Sequence, residues 1–346
     1  MSNRFVEKGL RSPVNVTWEV TLACNLRCSH CLSASGVREK AELSTPEAFD
    51  LIEQFSRSRV FQVNFGGGEP FARPDFEQIL GKCHDHGIMT CVSTNGTLLD
   101  SRLVARLTQS KMLALQVSID GATQETCDNI RGKGTFNAAV KGLELLAATA
   151  IPTSINTVLT AGNAHEIPAL HRLAESLGVA FRVSRFRPSG RGSDNWQELR
   201  PNPGQLLDFS QWLEQTADVR TGDSFFSLTT QERQGLGLNL CGAAKLTCCV
   251  GPSGRVYPCA FLQRERFLAG SLRSESFQDI WDNSPVFASF RNLRIHSCEE
   301  CKRFDQCHGG CPAVAWHLRN EIDGGDPECL ERCVTSLAEE KIAQAA

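Results

Sequence analysis

Between Asn15 and about Arg187 the chain alternates short runs of β-branched and apolar residues with longer stretches in which apolar positions return every three or four residues. The short runs are Asn15–Thr21, Val60–Phe65, Met89–Ser93, Ala114–Ile119, Thr153–Leu159 and Ala180–Ser184, and each has the length and composition of a strand. The stretches between them predict helices: Thr45–Ser56 behind the capping sequence Ser44-Thr45-Pro46-Glu47, then Asp75–His86, Ser101–Ser110, Thr135–Thr149 and Ala164–Leu177. Such alternation predicts parallel strands joined by right-handed crossovers. Six of them curl into a partly closed barrel whose chemistry lies at the carboxyl ends of the strands. Beyond Pro188 the rhythm fades through Pro, Gly and Ser, with one helix predicted at Gly204–Thr216, and a second domain starts near Leu238. The expected organisation is an N-terminal extension (1–13), the barrel (14–187), a connecting region (188–237), the second domain (238–335) and a tail (336–346).

Composition narrows the class. Of 346 residues, 41% are hydrophobic and 22% charged, and the formal net charge is -3. A chain this long buries roughly three quarters of the surface its unfolded form exposes, which excludes disorder as the main state. Apolar stretches such as Met112–Ile119 fall far short of the roughly 20 residues a membrane span requires, and Met1–Leu10 has no apolar signal core. A cytoplasmic protein is expected. Near-neutral charge without a basic run removes the electrostatic reason to expect nucleic acid or a membrane surface as partner.

Cysteine departs from this ordinary picture. There are 16, three of them within Cys24–Cys31 and ten within Cys241–Cys333. A secreted disulfide scaffold would be short and would carry a signal peptide, and neither holds. In a reducing compartment, thiolates this close in sequence read as soft-ligand sites for iron–sulfur clusters or zinc. Cys83, Cys91 and Cys127 have no partner at ligand spacing and read as small buried apolar residues, and Cys333 as a free thiol. Trp196, Trp212, Trp281 and Trp316 have no spacing that separates them from core packing.

Cys24-Asn25-Leu26-Arg27-Cys28-Ser29-His30-Cys31 directly follows the first predicted strand. Three thiolates on one loop can hold three irons of a cubane [4Fe–4S] cluster and leave the fourth iron open to a substrate; a zinc loop, the alternative, wants a fourth ligand nearby. Gly66-Gly67-Gly68-Glu69-Pro70 follows the second strand, where glycines permit close backbone approach and Glu69 suits an ammonium group, unless the segment is simply a turn. Ser93-Thr94-Asn95-Gly96 and Ser118-Ile119-Asp120-Gly121 end two more strands at the same rim, or cap them in the ordinary way. Near the C-terminus, Cys241 is followed after twelve residues by Gly254 and after four more by Cys259; then come Cys298-x2-Cys301-x5-Cys307-x3-Cys311 and, after seventeen, Cys329. Two zinc sites or two clusters would both use this field. Pro252-Ser253-Gly254-Arg255 predicts a tight turn that brings Cys241 and Cys259 together.

The triad's spacing after the first strand of a βα chain resembles the radical S-adenosylmethionine (SAM) superfamily, whose CxxxCxxC motif falls on Cys24, Cys28 and Cys31. The position before the last cysteine, often aromatic in that superfamily, is His30 here. The resemblance implies a partial (β/α)6 TIM-like barrel and a SAM molecule whose methionine amino and carboxylate groups chelate the open iron. One electron, from a flavodoxin- or ferredoxin-type donor, then cleaves SAM to methionine and a 5′-deoxyadenosyl radical. It also implies that Gly67, Gly68, Glu69 and Pro70 form the motif that contacts the SAM amino group, and that Ser93, Asn95, Ser118, Asp120 and Arg131 are contacts to its ribose and carboxylate. The arginines of Arg185-Phe186-Arg187-Pro188-Ser189-Gly190-Arg191-Gly192 belong to a solvated loop or reach SAM or a peptide carboxylate. The C-terminal field resembles the SPASM extension and implies two auxiliary [4Fe–4S] clusters, three clusters in all. The first would be held by Cys241, Cys248, Cys259 and Cys311, with adjacent Cys249 able to replace Cys248, and the second by Cys298, Cys301, Cys307 and Cys329.

Among SPASM proteins the chain is most similar to the mycofactocin radical SAM maturases. The likeness rests on Thr17-Trp18-Glu19, Val63-Asn64-Phe65 with the glycines after it, Arg187-Pro188-Ser189-Gly190-Arg191-Gly192, Thr221-Gly222-Asp223-Ser224-Phe225-Phe226 and Asp326-Pro327-Glu328-Cys329. It implies oxidative decarboxylation of the C-terminal Tyr of a ribosomally made precursor peptide, followed by a Val–Tyr carbon–carbon cross-link. The residues before Asn15 are too few for a peptide-recognition module, so a separate small recognition protein is expected to present the substrate. Pro312-Ala313-Val314-Ala315-Trp316 departs from that family and keeps other SPASM modifications open: a thioether, an epimer, or a Glu–Tyr link as in pyrroloquinoline quinone assembly. A zinc-stabilised protein that binds a partner and catalyses nothing is the reading from another class. No Ser/His/Asp or paired-carboxylate constellation stands out, and no protein general base is assigned.

Overall fold

A computed structural model describes residues 10–110, 113–221, 241–302 and 304–329. Most of the N-terminal extension, most of the segment beginning at Thr221, and everything beyond Cys329, including Cys333 and the tail, lie outside them. Strands β1 (Asn15–Thr21), β2 (Gln62–Gly67), β3 (Met89–Thr94), β4 (Leu113–Ser118), β5 (Thr153–Leu159) and β6 (Ala180–Arg185) lie side by side in chain order, each pair parallel. Between them run α1 (Thr45–Arg57), α2 (Phe76–Asp85), α3 (Ser101–Leu107), α4 (Gln124–Arg131), α5 (Thr135–Ala147) and α6 (Ile167–Ser176).

Side chains on a strand alternate between its two faces, and here the alternation separates core from site. Val16, Trp18, Val63, Phe65, Val92, Leu115, Val117, Ile155, Phe181 and Val183 are buried in the core. The intervening positions Thr17, Asn64, Ser93, Ser118 and Arg182 line a central cavity. Parallel sheets usually read as continuous apolar runs because both faces are covered, so this polar inner face marks a barrel that holds something other than its own side chains. Helix α1 shows how the outer layer is specified. Its first turn is closed by the Ser44 N–H donating to the Glu47 carboxylate at 2.8 Å. It buries Ala48, Leu51, Ile52 and Phe55, one helical stripe, and Phe55 meets Trp18 edge-on at 6.0 Å and Phe277 at 4.9 Å. Each large apolar side chain buried this way contributes roughly 1.5–3 kcal/mol.

The sheet runs further than six strands. On one edge β7 (Val219–Thr221) pairs parallel with β6. On the other, β8 (Thr247–Val250) pairs parallel with β1, and β9 (Arg255–Tyr257) and β10 (Gly270–Ser271) add antiparallel, giving one ten-stranded sheet. The C-terminal region therefore continues the barrel sheet and covers the β1 edge that an open barrel would leave unpaired. The predicted turn between β8 and β9 is present: Gly254 has φ 82°, and the Gly251 N–H donates to the Arg255 carbonyl at 2.8 Å. Helices α7 (Pro203–Gln215), α8 (Phe277–Asn283), α9 (Pro285–Arg291) and α10 (Pro312–Arg319) complete the described chain, apart from single helical turns. Among the described residues no helix is long and apolar enough to cross a membrane.

Candidate active site

A cavity of about 360 Å³ opens at the carboxyl ends of the strands, and Cys24, Cys28 and Cys31 line it. The loop that carries them has few hydrogen bonds of its own, and its backbone is satisfied from outside. The Ser29 N–H donates to the Ile130 carbonyl at 2.9 Å, Arg191 Nε to the Cys28 carbonyl at 2.9 Å, and Asn195 Nδ2 to the Ser29 carbonyl at 3.0 Å. Burial pushes the Cys24 and Cys28 thiols up, and as thiolates the three sulfurs would repel one another. Coordination to iron removes both penalties. Among the described residues no three His, Cys, Asp or Glu groups converge on one point where a single ion could sit. A cubane does not ask for that, since its ligands bind separate irons at its corners.

Glu69 is 1% exposed and faces this loop. Its carboxylate accepts from the Thr94 hydroxyl at 2.8 Å, the Asn95 N–H at 2.7 Å and the Phe71 N–H at 3.2 Å. Burial nevertheless pushes it up to about 7, so an incoming ammonium group would restore its charge. The glycines before it let two backbones touch. A Cβ on Gly68 would lie 2.1 Å from the Ala23 carbonyl oxygen, and the Gly68 and Glu69 N–H groups donate to the Thr21 and Ala23 carbonyls at 2.7 and 2.8 Å. Asn95 donates to the Asn25 side chain at 2.9 Å, so the end of β3 is also fastened to the cysteine loop.

Gly67, Gly68, Glu69, Ser93, Asn95, Ser118 and Arg131 all line the cavity, as the sequence predicts, but two expected contacts do not. Pro70 is buried and opens a short 3-10 turn behind Glu69. Asp120 is 0% exposed: it accepts from the Val158 N–H at 2.7 Å and pairs with His30 Nε2 at 2.8 Å and Arg131 Nε at 2.6 Å. Burial works against the Asp120 carboxylate, but Arg131 and His30 outweigh it and hold it at about 2. Asp120 thus ties α4 and the cysteine loop to the strand ends and does not line the cavity. His30 lines the cavity and keeps Nδ1 buried without a hydrogen-bond partner. An acid for an ammonium, a guanidinium and hydroxyls for a carboxylate, and an unmatched ring nitrogen fit a cofactor with the groups of SAM.

In the C-terminal field Cys307 has Cys329, Cys298 and Cys301 as its charged neighbours, so the second expected set is assembled. Cys241, Cys259 and Cys311 likewise neighbour one another, and burial pushes Cys241 to about 11 and Cys259 to about 12. Adjacent residues of β8 point to opposite faces, which separates the two candidates for a fourth ligand. Cys248 is buried in the apolar core, opposite Val16 in register, with Arg291 as its charged neighbour. Cys249 lies opposite inward-facing Thr17, with Glu19 and Cys259 as neighbours. The expectation of Cys248 meets a physical obstacle: its sulfur faces away from the set. Of the other cysteines, Cys83 and Cys127 are buried, whereas Cys91 is on the inward face of β3.

The arginines from the end of β6 onward make contacts within the fold. Arg185 pairs with buried Asp326 at 2.9 Å, Arg187 lies over the Phe261 ring at 4.4 Å, and Arg191 holds the cysteine loop. Asp326 also accepts from the Cys311 N–H at 3.0 Å, which docks the C-terminal cysteines on the barrel. Glu19 was visible only as part of a resemblance. It is 2% exposed, accepts from the Ser33 hydroxyl at 2.5 Å, and lies between the central cavity and a second one of about 300 Å³ that reaches Tyr257 and His317.

Residues 18–174 match the model of the radical SAM superfamily, and residues 241–308 match an iron–sulfur cluster-binding domain, SPASM. The chain is 41% identical to the mycofactocin maturase MftC of Mycobacterium ulcerans, covering 97% of this chain and 93% of that protein. It is 31% identical to the AdoMet-dependent heme synthase of Methanosarcina barkeri, covering 93% and 97%. The crystal structure of Streptococcus suis SuiB bound to the precursor peptide SuiA shares the fold, with a TM-score of 0.76 at 18% identity over 93% of this chain and 77% of that one.

Proposed function

Because this chain belongs to the radical SAM superfamily with a SPASM extension, and within it to the mycofactocin maturase family, we propose that it oxidatively decarboxylates the C-terminal Tyr of a ribosomally made precursor peptide and then joins that residue to the preceding Val through a carbon–carbon bond. One observation carries the reading. The cavity bordered by the cysteine triad and Glu69 also includes Ala260 and Phe261, which follow Cys259, so a substrate inside it lies between the SAM site and the segment that carries one cysteine of the first auxiliary set. A reduced cluster held by Cys24, Cys28 and Cys31 would supply one-electron cleavage of SAM, and clusters held by the C-terminal cysteines would supply an acceptor for the electron released on substrate oxidation.

The chain's own residues bind, orient and exclude water. Cys24, Cys28 and Cys31 hold the SAM-binding cluster, Glu69 accepts from the SAM amino group, Ser118 and Arg131 contact its carboxylate, and Ser93 and Asn95 its ribose. Asp120 is a positioning residue that keeps Arg131 and His30 in place. The first auxiliary cluster is held by Cys241, Cys259, Cys311 and, on the side-chain directions in β8, Cys249; the second is held by Cys298, Cys301, Cys307 and Cys329. A separate small recognition protein presents the peptide, and a flavodoxin- or ferredoxin-type donor supplies electrons. The test is mass spectrometry of a precursor peptide ending in Val-Tyr after incubation with the anaerobically reconstituted protein, the recognition protein, SAM and a reductant. Loss of carbon dioxide from the terminal Tyr is expected. Loss of two hydrogens with the carboxylate retained would overturn the assignment and favour a simple cross-link.

A further inference from the structure

Arg182 lies on β6, opposite Asn156 in register, and lines the central cavity. Its Nε is fully buried and has no hydrogen-bond acceptor. Among the described residues no carboxylate pairs with it, and its charged neighbours are Cys91, Arg187 and Arg220. The fully buried arginines around the barrel mouth are matched: Arg73 by Asp75 at 2.8 Å, Arg131 by Asp120 at 2.6 Å and Arg185 by Asp326 at 2.9 Å. Arg182 is half-buried; taking part of a guanidinium out of water without an anion is costly, and burial here pulls it below its ordinary value. Two further cations beside it sharpen the local demand for negative charge.

Two carboxylates enter this cavity on the functional reading: that of SAM and that of the peptide's last residue. The surroundings distinguish them. Arg131 and Ser118 stand on the side of the cysteine triad, where Arg131 has Cys28 as a charged neighbour. Arg182 has Arg187 among its charged neighbours, and Arg187 stacks on Phe261 and neighbours Cys241 and Cys259. An anion held there sits between the SAM site and the first auxiliary set. We infer that Arg182 receives the terminal carboxylate of the peptide substrate by a charge-assisted, bidentate contact, so that the residue to be modified is selected by being the chain end. This rests on the functional reading above and deepens it. The contact disappears with the carboxylate in the first step, which frees the residue to shift for the second.

The test measures equilibrium binding of an N-terminally labelled precursor peptide ending in Val-Tyr, presented by its recognition protein, to the cluster-reconstituted protein, as free acid and as C-terminal amide. The wild type should bind the acid about 10- to 100-fold more tightly than the amide. Arg182→Gln should bind both at the amide's level, and Arg182→Lys should recover part of the difference. Equal affinities for acid and amide in the wild type would overturn the inference without depending on any variant. So would an acid preference that survives in Arg182→Gln, or a loss of SAM affinity in that variant with the acid preference intact, which would give the contact to the SAM carboxylate. Decarboxylation of the free acid without acid–amide discrimination sinks the anchor alone; no binding of either peptide removes the functional reading and the anchor together.

Discussion

Replacing Asp120 by Asn changes one atom's chemistry at the most enclosed charge of the site. The Asn carbonyl can still accept from the Val158 N–H, which now bonds to Asp120 Oδ1 at 2.7 Å. Its amide would then turn a donor toward His30 Nε2 and Arg131 Nε, which now meet Oδ2 at 2.8 and 2.6 Å. Two favourable pairs become one donor–donor contact and one unpaired buried guanidinium. Holding the carboxyl at about 2 against the ordinary 3.8 corresponds to about 2–3 kcal/mol of stability at neutral pH. Leaving one partner of a buried ion pair uncompensated costs about 3–5 kcal/mol. A loss near 3 kcal/mol is therefore expected in denaturant unfolding of the apoprotein, accompanied by weaker SAM binding after reconstitution, because Arg131 and His30 lose their anchor. The sign with pH is fixed. A depressed carboxyl stabilises above its unfolded value and loses that contribution only as pH falls through about 2, so the gap between wild type and variant should be flat from about pH 5 to 8 and close only in acid. Equal stability and equal SAM affinity would refute the positioning role. A gap that vanishes between about pH 7 and 5 would assign the loss to another group.

Cys307→Ala should remove one auxiliary cluster, read as a loss of about four irons per chain, while SAM is still cleaved and the peptide stays unmodified. Cys249→Ala should lose the other auxiliary cluster and Cys248→Ala should retain it, measured by iron content and visible absorption; the reverse pattern would show that β8 turns its other face to the cluster. SAM binding should release a proton from Glu69 below pH 7, since burial keeps its carboxyl protonated up to about 7 and the SAM amino group needs the carboxylate as acceptor. Affinity should therefore rise from about pH 6 to 7, and Glu69→Gln should release fewer protons on binding in that range, as seen by titration in buffers of different ionisation enthalpy.

Much of the barrel was legible because strand alternation and helical stripes are local signals. β1 and β5 run over the residues the pattern predicts, Asn15–Thr21 and Thr153–Leu159. Helix α4 was missed because Gln124–Arg131 is short and mostly polar, and it is held by a Thr123 cap and by Asp120 rather than by an apolar stripe. The pairing of β8 with β1 was out of reach, since register between strands this far apart in sequence leaves no periodic trace, and Cys248 and Cys249 read alike until their faces are known. The cysteine triad and Glu69 were legible from their order after strands. Asp120 reads in sequence as a SAM contact but packs behind Arg131 and His30, because a polar residue at a strand end looks the same whether it faces a cavity or a buried guanidinium and imidazole. Arg182 carried no signal at all: that no carboxylate among the described residues pairs with it is a property of the folded cavity.

The central claim is that Cys24, Cys28 and Cys31 hold a cluster with one iron open to SAM. Electron paramagnetic resonance of the reduced, anaerobically reconstituted protein tests it most directly. Adding SAM should shift the signal of one cluster in the wild type, and Cys28→Ala should lose both that shift and 5′-deoxyadenosine production. A spectrum unchanged by SAM, or a shift that persists in Cys28→Ala, would contradict the account.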